Sequence, residues 1–166
     1  TMGANDLRRI SFKLASFLNS NFNIRNISIV RNDETISSTD AHSNSKNVCI
    51  RKNLSAIEMR DLMCQSDLVI SGGGQTLYEL ARIGVPAIAV CLIENQAAAI
   101  KAFIDDEFIL QFIQWDDQDL MEKVRKSYLF YSEKDTRKRA SMAGNRCVDG
   151  MGAIRLANRI MEYYNA

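Results

Sequence analysis

Residues 67–86 read Asp-Leu-Val-Ile-Ser-Gly-Gly-Gly-Gln-Thr-Leu-Tyr-Glu-Leu-Ala-Arg-Ile-Gly-Val-Pro. They contain the side chains and spacings best suited to chemistry in this chain. Gly72, Gly73 and Gly74 let a backbone approach a ligand closely, because no Cβ stands in the way. A helix that opens just after them points unpaired N–H groups and the positive end of its dipole at that ligand. Gly73, Gly74, Gln75 and Thr76 therefore suit a phosphate or diphosphate. Glu79 lies one turn into the same helix, where its carboxylate can accept hydrogen bonds from sugar hydroxyls. The combination fits a nucleotide-sugar cradle and falls short of a complete active site.

Other motifs for this loop fit less well. A G-x-x-x-x-G-K-[ST] phosphate loop needs a lysine beside its last glycine, and none is present. The G-x-G-x-x-G fingerprint needs glycine at position 77, which is Leu77. A plain strand-to-helix turn remains an alternative, although three adjacent glycines carry a conformational-entropy cost. Thr76 and Glu79 also spell T-x-x-E, so a capping box fits as well as a ribose contact. Glu94, Asn95 and Gln96 follow an apolar run and open a helix. They suit sugar recognition, or a simple cap with Asn95 as the capping residue. Gly3 and Asn5 sit in the turn before the first helix, whose N-terminus can face the same diphosphate; Asp6 as a cap is the alternative. Asp149 and Gly150 read as a turn and cap. No Ser/His/Asp or Cys/His set is spaced for catalysis, and Asp116 and Asp117 read as caps. The single histidine, His42, lies in a polar loop.

The elements that would position these groups follow from periodicity. Residues 7–20 have helical spacing, with Leu7, Ile10, Leu14, Phe17 and Leu18 on one side. Residues 1–6 read as the end of a strand, itself mostly missing, and the turn after it. Strands are expected at 26–31, 48–50, 68–71, 87–92 and 108–113. Helices are expected at 55–65, with Ser55 as cap, and at 75–83, stopped by Gly84 and Pro86. Further helices are expected at 95–104, from Asp116 or Asp117 to Tyr131, at 133–146 and at 151–164. This alternation predicts an α/β fold: a Rossmann-like, doubly wound parallel sheet. Ligands of such sheets sit beyond the carboxyl ends of the strands.

Composition supports one globular domain spanning 1–166, at 46% hydrophobic and 25% charged residues. A net charge of +1 gives no basic field for nucleic acid, and the basic cluster at 134–139 reads as a solvated helix face. Cys49, Cys64, Cys91 and Cys147 form no C-x-x-C pair. Scattered among apolar residues, they read as reduced core thiols of a cytoplasmic protein, with no metal site. No apolar run is long enough for a membrane span, and no signal peptide is visible.

The stretch 66–96 resembles the C-terminal half of the UDP-sugar hydrolase family of pseudaminic acid biosynthesis, which includes the spore coat polysaccharide protein SpsG. Thr1-Met-Gly-Ala-Asn-Asp resembles the family's T-M-G-G-x-D, with Ala4 in place of the second glycine. Residues 148–155 resemble its D-G-x-G-a-x-R ending. The family resembles GT-B glycosyltransferases, in which two Rossmann-like domains face each other across a cleft and the C-terminal one binds UDP. The resemblance implies that Gly73, Gly74, Gln75 and Thr76 hold the diphosphate and Glu79 the ribose. Glu94, Asn95 and Gln96 would lie near the sugar, and Asn53 and Leu54 beside the uracil. It implies no cofactor and no metal. The partners it implies are a UDP-sugar and an N-terminal domain of the same protein. The family's general base, a histidine in an N-terminal glycine-rich loop, has no counterpart here, so catalytic residues are expected outside residues 1–166. A donor-binding domain of a glycosyltransferase is the alternative to a hydrolase.

Overall fold

Strand β4, Ala87–Val90, is buried along its whole length, and its residues alternate between two cores. Ala87 and Ala89 join a cluster with Leu77, Leu80, Ile100 and Phe103. Ile88 and Val90 join the other, with Leu14, Ile113, Val124 and Tyr131. A strand with apolar groups on both faces needs cover on both. The helices supply it, with α3 (Gln75–Ile83) and α4 (Ala97–Asp105) on one side, and α1 (Ile10–Asn21) and α5 (Leu120–Ser132) on the other. The computed structural model describes residues 2, 6, 8–31 and 47–164.

Strand β1 (Ile27–Arg31) pairs in parallel with β2 (Val48–Lys52), Ile27 opposite Val48. Strand β3 (Val69–Gly72) pairs in parallel with β4, Val69 opposite Ala87. Helix α2 (Ala56–Cys64) connects β2 to β3. The expected α/β class and parallel pairing hold. Among the described residues, however, the strands form two separate ladders and not one continuous sheet.

Helix α2 starts at a capping box. The Ser55 hydroxyl accepts from the Glu58 N–H, and the Glu58 carboxylate accepts from the Ser55 N–H at 2.8 Å. Helix α3 occupies the expected residues and ends at Gly84, whose φ of 71° is the left-handed cap. Helix α6 (Lys134–Cys147) lies against α3, and Gly144 makes the close approach possible: a Cβ there would stand 2.9 Å from the Ala81 carbonyl oxygen. Helix α7 (Gly152–Tyr164) has no buried residue. No described helix is long and apolar enough to cross a membrane.

Three expectations need correction. The run 108–113 forms no strand; the residue after it, Gln114, makes an isolated parallel bridge to Cys91. The reason is local: the N–H groups of Phe108 and Ile109 both donate to the Phe103 carbonyl, closing α4. Helix α5 begins at Leu120 and not near Asp116, because Asp117 accepts from the Gln114 N–H and pairs with Lys123 at 2.7 Å. Of the four thiols read as core, Cys49 and Cys64 are exposed; only Cys91 is buried, and Cys147 is half-buried. His42, Gly3 and Asn5 lie outside the described residues.

Candidate functional site

The centre of the candidate site is the turn from β3 into α3. Gly73 is buried, and a Cβ on it would lie 2.5 Å from Ile100 Cδ1 and 3.0 Å from Gln96 Cβ. No side chain fits, so this glycine is fixed by packing. Gly74 is the N-cap of α3 in extended conformation, and no side chain caps the helix. The Leu77 N–H turns back to the Gly74 carbonyl at 3.0 Å. Gln75 and Thr76 occupy the first two helical positions, where backbone N–H groups have no partner within the helix. This end of α3 is an uncapped N-terminus with a glycine approach, the physical form of an anion site.

The T-x-x-E ambiguity is resolved against a capping box. The cap is Gly74, so Thr76 lies inside the helix and cannot act as N-cap. Thr76 is half-buried, and Glu79 is exposed one turn further along.

Gln96 joins this turn to the next. Its side-chain oxygen accepts from the Gly73 N–H at 3.3 Å and from the Leu92 N–H at 2.9 Å. The loops after β3 and β4 are thereby held together at the carboxyl ends of adjacent parallel strands. Glu94, Asn95 and Gln96 form a single 3₁₀ turn ahead of α4, capped by Ile93 and not by Asn95. Glu94 and Asn95 are exposed, while Gln96 is half-buried and faces the glycine turn. The structure thus brings Gly73, Gly74 and Gln96 together, with Gln75, Thr76, Glu94 and Asn95 on the surrounding surface. Sequence reading placed Gln96 near a sugar. Its role as the tie between loops was missed, because that role depends on β3 and β4 being neighbours.

Asn53 and Leu54 lie beyond the carboxyl end of β2, just before the Ser55 cap. Asn53 takes a left-handed φ of 52°, which asparagine tolerates. Among the described residues, no hydrogen bond joins this pair to the glycine turn.

The N-terminus of α1 is already occupied. The buried Asp6 carboxylate accepts from the N–H groups of Ile10 and Ser11, each at 2.9 Å, and from the Ser11 hydroxyl. That carboxylate takes up the N–H groups of Ile10 and Ser11, the arrangement of the cap alternative; Gly3 and Asn5 lie outside the described residues. At the other end of the chain, Asp149 accepts from the Met151 N–H and pairs with Arg155 at 2.5 Å and 3.1 Å. The Arg155 guanidinium and the Met151 N–H hold its carboxyl down at about 2. Among the described residues, no group of three His, Cys, Asp or Glu side chains could hold a metal ion.

The glycine turn, the uncapped helix and the parallel strands define a Rossmann-like α/β domain. The solved structure of MurG from Acinetobacter baumannii has the same fold: it superposes on 98% of this chain with a TM-score of 0.76 at 16% identity, and the match covers 48% of that protein. In sequence the chain is similar to a polysaccharide biosynthesis protein. It is 34% identical over 113 residues to the spore coat polysaccharide biosynthesis protein SpsG of Bacillus subtilis (strain 168), covering 64% of this chain. The chain spans about a third of that relative, 32% of its length. No family model matches the sequence.

Proposed function

We propose that this chain binds the nucleotide of a UDP-sugar, with the diphosphate at the N-terminus of α3. The carrying observation is the uncapped helix end behind Gly73, a position where packing admits no side chain. Gly74, Gln75 and Thr76 provide the backbone N–H groups of the cradle, and Gly73, whose N–H is taken by Gln96, provides the close approach. Glu79 accepts from the ribose hydroxyls, Glu94 and Asn95 line the sugar side, and Asn53 and Leu54 border the base.

The parent activity we infer is that of a sugar-nucleotide hydrolase in surface polysaccharide or nonulosonic acid synthesis, in keeping with the SpsG relative. The same domain also suits donor binding in a GT-B glycosyltransferase, a reading favoured by the MurG fold. In either case the chain works with a second domain that supplies the general base. Helix α7 is a surface for that domain: Ile154, Leu156, Ile160 and Met161 are 47–63% exposed on it. The free, exposed Cys49 and Cys64 fit a reducing, cytoplasmic setting.

Calorimetric titration with UDP, with CDP and ADP as controls, tests the binding. Selective UDP binding at about millimolar to micromolar Kd, weakened by Glu79→Ala, supports the reading. Equal affinity for all three, or unchanged affinity in Glu79→Ala, removes the base or ribose assignment respectively.

A further inference from the structure

Helix α7 has no buried residue, so packing along its length cannot set the direction it takes. That direction is fixed at its root or not at all. Val148 belongs to the body of the domain. It packs on the core that Leu77, Leu80 and Phe103 share, and its N–H donates to the Gly144 carbonyl at 3.1 Å. Only Asp149, Gly150 and Met151 stand between that anchor and the first residue of α7.

The contacts of this joint are of two kinds. The Asp149 carboxylate accepts from the Met151 N–H and pairs with Arg155. Both partners lie within residues 149–155, so these contacts start the helix without tying it to the body. Gly150 makes the tie. It takes a φ of 75°, a left-handed conformation that glycine adopts at no steric cost, and its bare Cα faces the Arg82 side chain. A Cβ there would stand 3.0 Å from Arg82 Nε and 3.6 Å from Arg82 Cδ. Arg82 is in the last turn of α3. That end of α3 is locked to α6 by the Gly144 approach to Ala81, and a Cβ on Gly84 would lie 2.7 Å from Ser141 Oγ.

We propose that Arg82 is the positioning residue of α7: its side chain, laid against the bare Cα of Gly150, sets the angle at which the helix leaves the domain. Helix α3 is about 13 Å long, with the glycine turn at one end and this seat at the other. The apolar face of α7 therefore holds one orientation to the glycine turn. The seat also divides the roles in the D-G-x-G-a-x-R stretch. Asp149 and Arg155 start the helix, and Gly150 makes room for Arg82. Gly152 takes no part, since a Cβ on it would meet nothing within 4 Å. Nothing in this seat depends on nucleotide binding, and its test uses none.

Backbone N–H residual dipolar couplings, measured on the 166-residue chain and on Arg82→Ala and Gly150→Asn, report the direction of α7. Asparagine tolerates a left-handed φ, so Gly150→Asn keeps the joint's conformation and sets a Cβ against Arg82. In the parent chain the α7 couplings should fit the same alignment tensor as those of α3 and α6. In Arg82→Ala they should shrink, as order parameters do between rigid backbone at about 0.85 and mobile backbone below about 0.6. In Gly150→Asn they should fit a different direction. The couplings of α3 and α6 should stay as they are in both variants. The proposal is overturned if α7 fails to share the common tensor in the parent chain, or if it keeps that tensor in either variant. Melting of α7 in a variant, read from Cα chemical shifts, also overturns it, because the Asp149–Arg155 contact that starts the helix is untouched.

Discussion

The side-chain oxygen of Gln96 accepts a hydrogen bond from the Gly73 N–H and holds the β3–α3 turn against the loop that follows β4. The same oxygen accepts from the Leu92 N–H, so one half-buried group satisfies two backbone donors. Gln96→Ala removes the acceptor and leaves both donors without it. Unsatisfied buried donors cost about 1–3 kcal/mol each, and partial exposure puts the expected loss near the lower end. Gln96→Glu retains an acceptor but adds a negative charge beside the cradle. The expected pattern in melting and UDP titration is a lower Tm for the alanine variant. The glutamate variant should keep a near-normal Tm and bind UDP more weakly. Equal Tm in all three forms contradicts the role given to Gln96.

Gly73 is fixed by packing against Ile100. Gly73→Ala forces a methyl group into a space already held by the Ile100 side chain. Overpacking of this kind costs about 1–3 kcal/mol. Adding Ile100→Val removes the atom nearest the new methyl, Cδ1, and should recover part of the loss. Denaturant unfolding of the single and double variants measures it. If Gly73→Ala is as stable as the parent chain, the packing account is wrong. Gly74→Ala makes the contrast: its Cβ meets only the Gln96 side-chain nitrogen at 3.7 Å, an ordinary contact.

The stretch 75–83 was legible in the sequence because its signals are local: glycine before it, Gly84 and Pro86 after it, and apolar spacing within. Ser55, expected as a cap, does cap α2, and Glu58 completes a capping box with it. The T-x-x-E pattern at Thr76 forms no such box, because Gly74 starts the helix two residues earlier. What stayed hidden depends on contacts distant in sequence. Nothing local shows that Gln96 reaches back to Gly73. The apolar run at 108–113 looks like a strand until its first N–H groups are seen to turn back to Phe103. Its side chains then divide between the two cores, Phe108 and Ile109 to one and Ile113 to the other.

The four thiols should differ in reactivity. Burial pushes Cys147 up to about 11 and raises Cys91 above the usual thiol range. At pH 8 only about one Cys147 in a thousand is thiolate, and the thiolate is the reactive form. Iodoacetamide followed by peptide mass mapping should label the exposed Cys49 and Cys64 first. Cys147 and Cys91 should lag until the chain is unfolded. Early labelling of Cys147 contradicts its half-buried position at the last residue of α6.

The entry to α7 should depend on acidity. Asp149 titrates at about 2 in the folded chain, below an ordinary aspartate at about 3.9. A lowered carboxyl pKa contributes stability that is present above the unfolded value and lost as pH falls through the folded one. The Asp149–Arg155 contact should therefore persist at neutral pH and fade between about pH 4 and pH 2. A carbon-detected NMR titration of the Asp149 carboxyl should show a midpoint near 2, and one near 4 contradicts the pairing. Asp149→Asn should remove the acid-dependent change at Met151 and Arg155.

The central claim is that the free N-terminus of α3 receives the diphosphate of a UDP-sugar. Its most direct test is a backbone amide NMR titration of the chain with UDP. The account predicts that the largest shifts fall on Gly74, Gln75 and Thr76, with smaller ones at Glu79, Glu94 and Asn95, and that uridine alone leaves the first three in place. Shifts confined to other parts of the surface, or glycine-turn amides that do not move while UDP binds, would contradict it.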